Sequence, residues 1–281
     1  MDNQIVTQEK IIAFGCHLQS EQRSAGTIDK YRRDVRAFAN WLGDRPASKE
    51  MAVAWREQLL TDGYRPVTVN SMLAALNRFF VWANWPQCHV KALRLQRRLF
   101  RERSRELDRR EYDSLVDTAR RSGRERLALL METICATGIR VSEVKNVTVE
   151  AARQGQTEIT LKGKIRTILL PRKLCRKLLQ YAKKQKIAFG EIFLTKSGKS
   201  LSRTQIWAEM KSVCKKAGVR ASKVFPHNLR HLFARTFYRV SRDVAKLADV
   251  LGHTHLETTR IYLISSGEEH AKELERLRLI H

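Results

Sequence analysis

The sequence predicts a mainly α-helical chain in two parts: a helical first domain, and an α+β second domain with one small antiparallel β-hairpin. Three observations predict it. Apolar residues recur at helical spacing through most of the chain. One stretch, "TEITLKGKIRTILLP" at 157–171, changes to β-branched alternation around a short Lys-Gly turn, the pattern of a hairpin. Between the two helical parts lies "KALRLQRRLFRERSRELDRR", residues 91–110. It carries nine Lys or Arg against three acids and no regular apolar stripe, so it reads as an exposed connector. The expected division is a helical domain at 1–96, a basic linker at 97–106 and a second domain at 107–281.

The first domain is expected to hold about four helices. The opening one runs from about Gln4 to Gln19. In "TIDKYRRDVRAFANWLG", Ile28, Tyr31, Val35, Phe38 and Leu42 share a face, with Thr27 as the expected cap and Gly43 as the stop. "KEMAVAWREQLLTDG" gives a shorter helix ending at Gly63. Pro66 then occupies a first-turn position before "VTVNSMLAALNRFFVWANW".

In the second domain, "DRREYDSLVDTA" and "GRERLALLMETICATG" precede the hairpin, the latter closed by Gly138. Helices resume at "RKLCRKLLQYAKKQ", "RTQIWAEMKSVCKKAG", "HNLRHLFARTFYRV" and "SRDVAKLADVLG". Gly252 ends the last of these. Thr254 and Glu257 then form a T-x-x-E pattern, which predicts a capped helix with Tyr262 about two turns inside it.

Composition narrows the function. With 54 Lys and Arg against 29 Asp and Glu, the chain carries a formal charge of +25. Such a surplus repels itself unless a polyanion relieves it, and displaced counterions then favour binding. Nucleic acid is the expected partner. A membrane is not, since no apolar run approaches the ~18 residues of a span and no basic amphipathic anchor stands apart. The amino terminus lacks a signal-peptide core, so a cytoplasmic, nucleoid-associated protein is expected. The five cysteines are scattered without a C-x-x-C pair, which excludes a disulfide framework or a cysteine-based zinc site.

Four clusters hold residues suited to chemistry. In "ATGIRVSEV", Arg140 follows a helix-ending glycine, with Glu143 placed to hold it. At the hairpin turn Lys162 and Lys164 flank Gly163. In "FPHNLRHLFA", His227 and Arg230 are one helical turn apart. His227 and His231 have a spacing that zinc can use, but Asn228 stands where a thermolysin-type site needs glutamate and Arg230 would repel a cation, so no metal is expected. "LGHTHLETTRIYL" supplies His253 and Tyr262. Taken alone, such a tyrosine is an ordinary packing residue.

The order and spacing of all four clusters resemble the tyrosine recombinase (phage integrase) family. Arg in "TGIRVSE", a hairpin lysine, H-x-x-R, then "LGH" with a tyrosine nine residues after its histidine carry the resemblance, which covers nearly the whole chain. It implies that the first domain is the family's SAM-like core-binding domain and the second its catalytic domain. The implied catalytic set is Arg140, Lys162, His227, Arg230, His253 and Tyr262, with no cofactor. Lys164 is the alternative general acid, because Leu161 stands where the family often has glycine. The resemblance implies cleavage and rejoining of duplex DNA at short inverted repeats, by a homotetramer on paired sites that is a monomer or weak dimer off DNA. The tail "SGEEHAKELERLRLIH" reads as a short helix with Leu274, Leu277 and Ile280 on one edge, and with the helices beginning almost at Met1 no added arm-binding domain is expected. A non-cutting regulator of the same fold and a type IB topoisomerase are the alternatives.

Overall fold

The computed structural model describes residues 4–95, 103–161, 164–262 and 275–277. The chain divides into two units, Met1–Arg97 and Arg98–His281. Among the described residues no helix is long and apolar enough to cross a membrane.

The first unit consists of α1 (Gln8–Ser20), α2 (Ala25–Leu42), α3 (Lys49–Thr61) and α4 (Pro66–Trp82). Its interior is aromatic. Phe14 meets Phe79 edge-on at 5.4 Å between ring centroids, and Phe38 meets Trp55 at 5.2 Å and Phe80 at 5.9 Å. Edge-to-face packing of this kind adds to the burial that holds the helices together. Pro66 does open α4. The cap of α2 differs from expectation: Ser24, not Thr27, accepts the Thr27 N–H. Serine is the better cap, and Thr27 sits inside the first turn with its hydroxyl bonded to that of Ser24.

The second unit begins with α5 (Arg109–Arg121), closed at its start by a reciprocal Asp108–Glu111 capping box. It continues through α6 (Glu125–Thr137), a 3-10 turn at Val141–Asn146, α7 (Val149–Gln154), β1 (Gln156–Leu161) and β2 (Lys164–Leu169). Then follow α8 (Arg172–Lys184), α9 (Arg203–Ala217), α10 (Pro226–Ser241), α11 (Val244–Leu251) and α12 (Leu256–Arg260). Helix α6 is central, with Leu127, Leu130, Met131 and Ile134 all buried. The short α7 and the 3-10 turn went unforeseen, being too brief to show a period.

The hairpin pairs antiparallel, with Ile159 opposite Arg166 and Thr157 opposite Ile168. Residues paired this way share a face. Ile159 and Ile168 face inward, which puts Arg166 on the buried face while Ile165 is 70% exposed. The usual apolar-in alternation is inverted at these two positions.

Candidate active site

Three segments of the second unit come together around Arg230, and each delivers its side chains for a local reason. Helix α6 ends at Gly138 in the left-handed conformation (φ +66°). A β-carbon there would also overlap the Phe233 ring, so glycine is required by both backbone and packing. The chain then straightens at Arg140, and the 3-10 turn brings Glu143 beneath it. The Arg140 backbone N–H donates to Glu143 Oε2 at 2.7 Å and its Nη1 to Oε1 at 3.0 Å. Glu143 thus holds Arg140, as its spacing predicts. The Arg140 side chain remains 35% exposed and lines an open cleft of ≈ 660 Å³ with Arg203, Trp207, His227 and Arg230.

Pro226 opens α10 and places His227 and Arg230 within its first turns. Arg230 is only 2% exposed. Its guanidinium donates to the Gly138 and Leu251 carbonyls, the latter at 2.8 Å, and meets His253 Nε2 at 3.0 Å. Arginine can only donate, so Nε2 accepts, and the bonding pattern assigns the His253 proton to Nδ1, which donates to Thr259 Oγ1 at 2.8 Å. Burial lowers the Arg230 pKa, and the adjoining Tyr262 phenol partly offsets this. A guanidinium stays charged regardless.

Tyr262 is 5% exposed and packs with Ala234, Leu247 and Leu251. Its ring stacks on His253 (5.8 Å, 15°) and meets the His231 ring at 4.6 Å. The expected capping box does not start the local helix: α12 begins at Leu256 with His255 as its cap and no side-chain cap bond, and Tyr262 follows the helix end. Thr259 sets this geometry instead. It is fully buried, is bonded to His253, and its carbonyl accepts the Tyr262 N–H at 3.0 Å.

All three histidines are pushed toward the neutral form. Burial, then the Arg230, Arg140 and Arg203 charges, lowers His227. Burial followed by Arg230 and Arg140 lowers His253 to about 4, and burial followed by His227 lowers His231 to about 3. At pH 7 all three rest unprotonated, the form a general base starts from, and the same shifts make each a weaker base than a free imidazole.

Five of the six expected residues therefore lie in this region: Arg140, His227, Arg230, His253 and Tyr262. Lys162 lies outside the described residues, as do the tail positions Leu274 and Ile280. Leu277 is 57% exposed. Two participants were missed. The His231 ring touches both His227, at 4.5 Å, and Tyr262; its four-residue spacing from His227 suggested only a metal. Arg166 was overlooked, although an arginine inside an apolar alternation was the available signal.

Residues 105–269 match the phage integrase family, and residues 11–87 match the phage integrase N-terminal SAM-like domain. The chain is 27% identical over 289 residues to tyrosine recombinase XerA of Pyrococcus furiosus, covering 100% of this chain and 98% of that protein. It is 29% identical to tyrosine recombinase XerD of Brucella suis, over 87% of this chain and 89% of the relative. Two solved structures share the fold. A lambda integrase tetramer bound to a Holliday junction aligns with a TM-score of 0.73 at 18% identity, covering 92% of this chain and 78% of that one. XerH site-specific recombinase bound to difH substrate aligns with a TM-score of 0.67 at 18% identity, covering 97% and 90%. With a catalytic-domain match over more than half its length, the chain belongs to the phage integrase family, a class of enzymes that cleave and rejoin DNA.

Proposed function

We propose that the protein is a site-specific DNA recombinase that cuts duplex DNA with Tyr262 and reseals it through a 3′-phosphotyrosyl intermediate. The observation that carries this reading is the gathering of Arg140, His227, Arg230, His253 and Tyr262 from three separate segments. Arg140 and Arg166 pair with one buried carboxylate, Glu143, while Arg230 bonds to the Gly138 and Leu251 carbonyls and to His253, and the histidines are pushed toward the neutral form. Positive charge therefore exceeds negative at the site, and Arg203 at the cleft wall adds to the excess. That matches the dianionic centre formed when a phenolate adds to a phosphodiester.

In this mechanism the Tyr262 oxygen bonds to the scissile phosphorus and the bond to the 5′ oxygen breaks. His227 takes the phenol proton. Arg140 and Arg230 bind the non-bridging oxygens. Lys162, with Lys164 as the alternative, protonates the departing 5′ oxygen. The tyrosyl phosphodiester conserves the energy of the broken bond, so a second strand's 5′ hydroxyl reseals it without ATP. Since Tyr262 is 5% exposed, attack requires its ring to turn from the Leu247–Leu251 pocket toward the cleft. Arg230 then exchanges its bond to His253 for the phosphate, and His253 donates to a non-bridging oxygen once its proton moves from Nδ1 to Nε2, with the Thr259 hydroxyl turning to donate to Nδ1. A homotetramer acting on two duplexes with inverted repeats, for integration, excision or inversion, completes the reading.

The test incubates the protein with nicked duplexes carrying randomised inverted repeats, from which a cut strand end is lost by diffusion. Denaturant-stable adducts are captured, sequenced and mapped by mass spectrometry. Adducts at Tyr262 on a defined repeat are expected. Tight binding without any adduct would instead identify a regulator, and relaxation of plasmid lacking every captured sequence would identify a topoisomerase.

A further inference from the structure

Arg166 is costly where it sits. It lies on the buried face of the hairpin, its side chain 12% exposed, and its Nε is buried without a hydrogen-bond partner. Burial lowers its pKa, and the Arg230 and Arg140 charges oppose it further, with Glu143 as the compensating anion. An apolar residue at this position would pack β2 at least as well, because buried ion pairs seldom add stability over well-packed hydrophobic side chains. The reason for an arginine lies in what its fork joins.

Nη2 of Arg166 donates to Glu143 Oε2 at 2.8 Å, and Nη1 donates to the Leu251 carbonyl. Glu143 is the anchor of Arg140, and the Leu251 carbonyl is one of the anchors of Arg230. The side chain also lies against Gly252, where a β-carbon would overlap its Cδ. Resting on the recombinase reading, we infer that Arg166 is a positioning residue that sets the spacing of the two phosphate-binding arginines by gripping both of their anchors. It does not touch the phosphate. Lysine cannot replace it, since an ammonium lacks the planar fork that reaches two acceptors at fixed separation.

The test compares wild type, Arg166→Met and Arg166→Lys in single-turnover cleavage of a captured duplex. Each is run on the ordinary phosphodiester and on a methylphosphonate at the scissile position, where a methyl group replaces one charged oxygen. Misplacing the clamp by about 1 Å costs on the order of 100-fold. Arg166→Met is therefore expected to lose about that factor on the diester and less than about tenfold on the methylphosphonate, which asks less of the arginines. Arg166→Lys falls between. Should Arg166→Met fail to melt cooperatively, the same comparison is read from Arg166→Lys. Equal penalties on both linkages, or no penalty on either, would overturn the positioning role while leaving the recombinase reading intact. A wild-type protein that forms no adduct with any duplex overturns both.

Discussion

In the first unit the largest fully buried side chains are Phe14, Phe38, Phe79 and Phe80, whereas in the second the largest is Arg230. The first unit's buried charge, Asp34, is answered at once by Lys30 at 2.5 Å, one helical turn away. The second unit instead carries Glu143, Arg166 and Arg230 in a network joining the 3-10 turn, β2, α10 and α11. An interior of rings stabilises by area and shape, while an interior of guanidiniums adds little net stability. The contrast separates what holds the chain together from what it is for.

Predictions that probe this contrast run from complete loss of activity to a dependence of stability on pH. Tyr262→Phe is expected to abolish the denaturant-stable adduct while DNA affinity, measured by gel shift, stays near wild type. Residual adduct would move the nucleophile elsewhere. Next, Arg140→Ala and Arg230→Ala should each slow cleavage by about 10²–10³. They should differ in urea unfolding, because losing Arg230 also removes a donor from the buried Gly138 carbonyl, at about 1–3 kcal/mol. Equal stability of the two variants would show that Arg230 is not the structural member of the pair.

Phe38→Ala should do the reverse. Loss of a fully buried ring costs about 3–5 kcal/mol, read as a drop in the first unit's unfolding midpoint, with the single-turnover cleavage rate of folded protein unchanged. The last effect is on pH. His231 and His253 titrate near 3 and 4 when folded against 6.5 when exposed. Below pH 6.5 the unfolded chain takes up protons that the folded chain refuses, so stability is present above that pH and falls steadily toward pH 4. Melting temperature should track this decline, and His231→Gln should flatten it.

The same contrast explains which parts of the molecule were legible in its sequence. Phe38, Val35 and Leu42 announce α2 because a packed helix face repeats every turn, and Pro66 announces α4 because proline suits a first turn. Arg140 with Glu143, and His227 with Arg230, were legible for a like reason, each pair lying within a single turn. Less so were contacts between distant segments. Nothing near Thr259 shows that it will fix His253 and Tyr262, and the local T-x-x-E pattern pointed to another helix start. Arg166 is hardest, since its acceptors lie 23 and 85 residues away. Only the inverted alternation at Ile165 and Arg166 betrayed it, and such local inconsistencies are where function tends to be found.

One close approach reaches beyond the single molecule. At Gly252 the backbone is in the left-handed region (φ +65°), and the stem of Arg166 fills the space where a methyl would go. The two positions should therefore drift as a single heritable character: a lineage that gains alanine at 252 must shorten residue 166 and also bear a left-handed backbone that a β-carbon strains, and one that keeps the arginine is confined to glycine.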